Sequence, residues 1–193
     1  MEKPELRREF LRVGAVGAVA LVWGTPLDAD PACEETEDNI EGPFYKAGAP
    51  DRETLLEPGT KGAPLVVTGT VMSTDCKPLG GAILDVWQCS ADGVYDNSGY
   101  TLRGKVHADK NGRYQLRTIQ PPPYRVGEGR YRPAHIHLKV SGPGVAVLTT
   151  QLYFPGDQYN KTDSAFRQSL VIHPTDGPKG AKIASFDFRL RRA

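Results

Sequence analysis

Two histidines two residues apart, His135 and His137, stand in the run Arg132-Pro133-Ala134-His135-Ile136-His137-Leu138-Lys139-Val140. Imidazole is the commonest protein ligand for transition metals, and two rings on same-side positions of a strand can grip one ion without further ordering. On its own the pair also fits the wet face of an amphipathic strand. Its company decides what chemistry is open. The three cysteines form no Cys-x-x-Cys pair, and Met1 and Met72 are the only methionines, which argues against thiolate-bound zinc and against copper(I). Two tyrosines stand in unusual places instead. Tyr95 follows directly on a candidate strand, and Tyr124 ends the stiff run Gln120-Pro121-Pro122-Pro123. A phenol, with a pKa of about 10, is a poor ligand at neutral pH unless a strongly charged cation displaces its proton. Iron(III) does so, and tyrosinate ligation to iron occurs in haem proteins.

Positioning such a set requires rigid elements, and the sequence supplies strands. From Ala134 to Val140 the side chains alternate, so His135, His137 and Lys139 share one face while Ala134, Ile136, Leu138 and Val140 share the other. Strands are also expected around Leu65 to Val71, over Ala82 to Gln88, over Tyr114 to Ile119 after the turn Asp109-Lys110-Asn111-Gly112, from Val147 to Phe154, over Ser169 to Ile172, and from Ala184 to Leu190. No sustained helical period interrupts them. Seven short strands separated by turns predict an all-β fold, an antiparallel β-sandwich with long irregular loops. Between Cys33 and Thr60 the pattern is irregular, and Glu41-Gly42-Pro43-Phe44-Tyr45 reads as an extended segment laid over the body of the protein.

The 193 residues divide into a leader, residues 1–30, and one domain, residues 31–193. Arg7-Arg8-Glu9-Phe10-Leu11-Arg12 precedes an uncharged stretch of about eleven residues, too short to span a bilayer as a helix. It resembles a twin-arginine export signal, which places the mature chain in the periplasm or outside the cell, free of the membrane after processing. A net charge of +1 with no basic stripe gives nucleic acid no footprint. Export makes the cysteines relevant, because disulfides persist outside the cytosol. Cys76, in a turn, and Cys89, at the far end of the following strand, should lie more than about 20 Å apart, so a bridge must involve Cys33. Its partner is left open.

Leu84-Asp85-Val86-Trp87-Gln88, Gly93-Val94-Tyr95, Arg103-Gly104, Asn111-Gly112-Arg113-Tyr114, Arg132-Pro133-Ala134-His135-Ile136-His137 and Gln151-Leu152-Tyr153-Phe154-Pro155-Gly156-Asp157 together resemble the intradiol ring-cleavage dioxygenases. Glu41-Gly42-Pro43-Phe44-Tyr45 looks like that family's amino-terminal active-site segment. The short length resembles protocatechuate 3,4-dioxygenase subunits and exported relatives rather than catechol 1,2-dioxygenases, which carry an added helical region. The resemblance implies one non-haem iron(III) held by Tyr95, Tyr124, His135 and His137, with solvent as a further ligand. It implies a catechol-type substrate and dioxygen, with Tyr124 as the displaceable axial ligand. The ring would open between its two hydroxyl-bearing carbons to a cis,cis-muconate. Arg132 would stabilise negative charge over the ring, Gln151 matches a polar pocket residue that would otherwise be a solvated strand position, and Tyr45 is a candidate substrate contact. Short members commonly associate, so a homo-oligomer is expected.

Two other readings share the strand. A non-catalytic exported β-sandwich could bind a metal or partner through the His-x-His edge, and it would not need Tyr95, Tyr124 and Arg132 together. An extradiol or other iron(II) oxygenase would need a carboxylate beside two histidines, and none shares the Ala134 to Val140 strand. His107 and His173 read as surface or structural. Tyr100, Tyr114, Tyr131, Tyr153 and Tyr159 read as core or rim aromatics, and Trp87 as core.

Overall fold

The computed structural model describes residues 33–193; the expected export signal lies outside them. Eleven strands follow one another: β1 Pro64–Ser73, β2 Ile83–Trp87, β3 Arg103–His107, β4 Arg113–Ile119, β5 Tyr124–Gly127, β6 Arg130–Arg132, β7 His135–Ser141, β8 Leu148–Tyr153, β9 Thr175–Asp176, β10 Lys182–Ser185 and β11 Phe188–Leu190. One sheet is built on β1, with β4 on one side and β10, β11 and β9 on the other. The second runs β3-β2-β7-β8, and β5 and β6 form a separate hairpin. Among the described residues no helix is long and apolar enough to cross a membrane.

The alternating pattern explains the layers. Leu65, Val67 and Val71 of β1, Tyr114 and Leu116 of β4, Leu84 and Val86 of β2, and Ile136, Leu138 and Val140 of β7 all enter one core between the two sheets. Burying a fully enclosed leucine or isoleucine is worth about 1.5–3 kcal/mol, so the register of β7 is strongly specified. A one-residue slip would exchange the histidine face for the core face.

Three features differ in detail from the strand pattern expected. Residues 169–172 do not form a ladder; Gln168–Leu170 is a single 3₁₀ turn, and Val171 makes one isolated bridge to Tyr153. The chain from 124 to 132, where no strand is expected, forms the β5–β6 hairpin. The last expected strand is broken into β10 and β11, and both pair with β1 in parallel, whereas the other ladders are antiparallel.

That break has a local cause. The Phe186 N–H donates to Thr68 O at 2.9 Å, and the Asp187 carboxylate takes the Thr70 N–H at 2.8 Å in place of a backbone carbonyl. The backbone of Phe186 comes so close to β1 that a Cβ on Gly69 would lie 1.8 Å from its carbonyl oxygen. Only glycine fits there. Gly69→Val is expected to lower the free energy of unfolding by at least about 2 kcal/mol, through the overpacking it forces. A denaturant midpoint equal to wild type would refute this.

Cys33 is joined to Cys76, with 5.5 Å between their Cα atoms, and Cys89 is a buried free thiol. The bridge ties the amino-terminal segment to the turn after β1. From there the segment crosses β11 and β8: Thr36 N–H donates to Arg189 O, Asn39 N–H to Thr149 O, and Thr150 Oγ1 to Glu37 O. The next residues reach the outer face of the β7 sheet.

Candidate metal centre

Directly opposite residues on neighbouring strands share a face of a sheet. The registers of β3, β2, β7 and β8 therefore place Arg103, Trp87, His137 and Gln151 in one row across the outer face, with His135 beside Tyr153 in the next row. An outer face would ordinarily be wet. Here it is covered, and His135 and His137 are each 1% exposed. Trp87 stacks flat on His137 with ring centroids 4.8 Å apart.

The two imidazoles face each other through Nε2 at 3.0 Å. His135 Nδ1 lies 2.7 Å from Pro133 O, so it must carry the proton, and Nε2 keeps a lone pair. Burial, with Arg132 alongside, pulls the His135 pKa down to about 3, and burial with His135 and Arg132 nearby holds His137 well below the usual value. Both rings are neutral ligands at ordinary pH.

Two phenols close over them. Tyr95 sits in a turn in which Ser90 N–H donates to Val94 O and Gly93 N–H to Ser90 O. Its ring is 6.2 Å from that of His137 and 5.3 Å from that of Tyr124. Tyr124 opens β5, directly after the three prolines, and its ring is 5.5 Å from that of His135. Burial raises both phenol pKa values; beside Tyr124 the Arg132 charge opposes the rise. Cys89, also in this cluster, has its thiol pushed up to about 12 by burial.

A metal fits this donor set. Three of the five buried side-chain polar atoms without a hydrogen-bond partner among the described residues, Tyr95 Oη, His137 Nδ1 and Trp87 Nε1, lie in this one cluster. Buried polar atoms are rarely left unpaired, and an orphaned phenol oxygen beside two imidazole lone pairs is what a cation would satisfy. Among the described residues no three of His, Cys, Asp and Glu come together to hold an ion. No carboxylate therefore joins the two imidazoles as an iron(II) oxygenase would require, and the oxygen donors nearest them are the phenols of Tyr95 and Tyr124. Paired phenolates suit a hard, highly charged ion better than zinc or copper.

Arg132, cross-strand from Tyr124 on the β5–β6 hairpin, directs Nη1 to within 3.2 Å of His135 Nε2. Its Nε donates to Asp163 Oδ2 at 2.8 Å and its Nη2 to Gln151 Oε1 at 2.9 Å. Gln151 is fully buried, which removes the solvated-position alternative. Its Nε2 donates to Ile40 O at 2.7 Å, so it supports Arg132 and the covering segment from behind.

Tyr45, the candidate substrate contact, packs against the edge of this cluster. Its ring tilts against Trp87, Lys139 lies over it at 4.0 Å, and its hydroxyl is 3.1 Å from Asp85 Oδ2. Its pKa rises to about 12 through burial and the Asp85 charge. Phe44, its neighbour, is the residue laid on the phenols: it stacks on Tyr95 at 4.4 Å and meets Tyr124 edge-on at 6.0 Å. Gly42 adopts φ +71°, and a Cβ there would stand 3.4 Å from His137 Cε1. His107 pairs with Asp51 at 2.7 Å on the surface, as expected of a residue outside the site.

Sequence reasoning missed Arg103 as an individual residue. It is 1% exposed and donates through Nε to Asp96 O and through Nη1 to Phe44 O, at 2.8 and 2.6 Å. It thereby ties the loop after Tyr95 to the covering segment. A charged residue at the head of a strand carries no signal of such burial. Asp163, in a polar loop, carried none either.

Residues 40–192 match the Dioxygenase_C family model, described as Dioxygenase. A chlorocatechol 1,2-dioxygenase of Pseudomonas sp. (strain P51) is 35% identical over 176 residues, covering 80% of this chain and 70% of that protein. A catechol 1,2-dioxygenase of Pseudomonas sp. (strain EST1001) is 38% identical, and the match spans 70% of this chain and about half, 53%, of that longer protein. Among solved structures, the dioxygenase domain of a dioxygenase carbohydrate-binding protein fusion from the cellulolytic bacterium Streptomyces sp. SirexAA-E superposes with a TM-score of 0.76 at 41% identity. That superposition covers 83% of this chain and all of that domain.

Proposed function

Because the chain belongs to the intradiol ring-cleavage dioxygenase family, we propose that it is a non-haem iron(III) dioxygenase that opens catechol-type aromatics between their two hydroxyl-bearing carbons, inserting both atoms of dioxygen to give a cis,cis-muconate. The observation that carries the reading is the convergence of two phenols and two imidazoles in one buried cluster that leaves a phenol oxygen unpaired. Tyr95, Tyr124, His135 and His137 are the residues that would hold the iron. Iron(III) held there would supply a positive centre that favours the deprotonated catechol and makes its ring reactive toward dioxygen.

The protein's own residues do the rest. A catechol that binds as its dianion must lose two protons; Tyr124, a phenolate once iron is held, would take one of them at Oη and solvent the other. Arg132 points a guanidinium N–H at the site from beside His135, where it stabilises negative charge developing on the ring. Phe44 covers the phenols, and Trp87 backs His137, so the charge develops in surroundings poor in water.

The curated relatives named above act, by their names, on catechol or chlorocatechol; the preferred ring substituent of this chain is the open part of the proposal. Export through the amino-terminal leader is a further part, and the Cys33–Cys76 disulfide supports an oxidising compartment. Self-association belongs to the same reading, and a monomeric mass in sedimentation would remove it.

Iron-loaded protein is expected to be wine-red from tyrosinate-to-iron charge transfer and to consume dioxygen with a catechol while muconate absorbance rises. A colourless preparation that takes up zinc or copper and cleaves no member of a catechol panel would replace the enzyme with a metal-binding module.

A further inference from the structure

Arg132 spends each of its three nitrogens on a different neighbour. Nε goes to Asp163 Oδ2, Nη2 to Gln151 Oε1 with Tyr153 Oη at 3.2 Å, and Nη1 to the His135 side, toward the site. Asp163 is the only charged group among these partners. Its side chain is 6% exposed, against 13% for Arg132, so little water screens the pair. Asp163 is itself held: Oδ1 accepts the Ala165 N–H at 2.8 Å, and Tyr153 Oη sits 3.0 Å from Ala165 O. The loop, β8 and the β6 end thus form one closed set of contacts around the guanidinium.

Resting on the catalytic reading above, we propose that Asp163 is a positioning residue for ring cleavage, fixing the guanidinium of Arg132 so that Nη1 alone is presented to the bound aromatic ring. A planar guanidinium released at Nε can rotate toward the two phenol oxygens or into its Gln151 and Tyr153 contacts. A fixed donor is worth far more to a developing charge than one that must reorganise, and a displacement of about 1 Å can cost a hundredfold in rate. Asp163 makes no hydrogen bond to either imidazole or to Tyr95 or Tyr124, so its hydrogen-bonded route to the site runs through Arg132.

The test is a double-mutant cycle on iron-loaded protein. Asp163→Asn keeps an oxygen for the Ala165 N–H and removes the charge. It is expected to keep wild-type iron stoichiometry and the visible charge-transfer band while kcat falls at least about tenfold, with a smaller change in KM. In an Arg132→Ala background the same substitution is expected to change kcat by less than about twofold, because the group it acts through is gone. Unchanged kcat in the single variant, an equal proportional loss in both backgrounds, or iron lost in step with activity would each overturn the proposal. Should the Asn variant not fold, Asp163→Glu, which keeps the charge one methylene further out, is read by the same cycle and the same criteria. A wild-type protein that cleaves no catechol would instead overturn the catalytic reading.

Discussion

Replacing His135 with alanine is expected to leave the protein unable to hold iron, with no charge-transfer band and ring cleavage reduced to background. The ring is buried, its tautomer is set by Pro133 O, and its Nε2 stands 3.0 Å from that of His137. Removing it takes away one of only two imidazoles in the cluster and leaves a cavity beside Tyr153 and Tyr124, both of which pack on it. The surrounding sheet is fixed by β2 on one side and β8 on the other, so no neighbour can move in to replace the lost donor. Metal analysis of purified protein reconstituted with iron checks this. A variant retaining one iron per chain would remove His135 from the ligand set.

Tyr124→Phe is expected to behave differently. Phenylalanine keeps the ring, which meets Phe44 and Tyr95 edge-on, so packing is preserved and only the oxygen is lost. Three donors remain, and iron content should stay close to that of wild type. Turnover should fall by about a hundredfold, the lower end of what a positioned proton acceptor contributes. The loss is expected mainly in kcat, because the proton is taken after the catechol has entered. Steady-state kinetics beside a metal assay separates the two quantities. Wild-type turnover in this variant would end the role given to Tyr124, and loss of iron would make it a ligand and nothing more.

Both expectations begin in residues visible without a structure. The alternation through β7 and the two histidines on one face were plain, since a strand has a period of two and buried Ile136, Leu138 and Val140 leave the histidines no other side. Tyr95 and Tyr124 stood out by residue type and by the prolines before Tyr124, although nothing local showed that their rings would meet. Gly69, Asp187 and Phe186 show the opposite case: the split between β10 and β11 comes from a backbone approach between residues more than a hundred positions apart. No periodicity encodes such an approach.

The covering layer was the least legible part. Phe44 and Tyr45 are adjacent aromatics of similar size, and the sequence offers Tyr45 as the candidate substrate contact. The turn at Pro43 and Phe44 gives the two rings different neighbours, Tyr45 meeting Trp87 and Asp85 and Phe44 the phenols. Arg103 and Gln151 look like surface residues by type, and both are buried because other segments lie over the sheet.

Strand period, a local property, thus determined the fold class, and side-chain chemistry singled out the histidine pair and two tyrosines that the family resemblance joins into one metal-binding set. Tertiary structure alone decided that Cys33 meets Cys76, that Phe44 rather than Tyr45 faces the phenols, and that Asp163 holds Arg132. These contacts join segments separated by tens of residues, and their energies depend on burial and on which side chain best fits a shared surface. A single stretch of chain contains neither quantity.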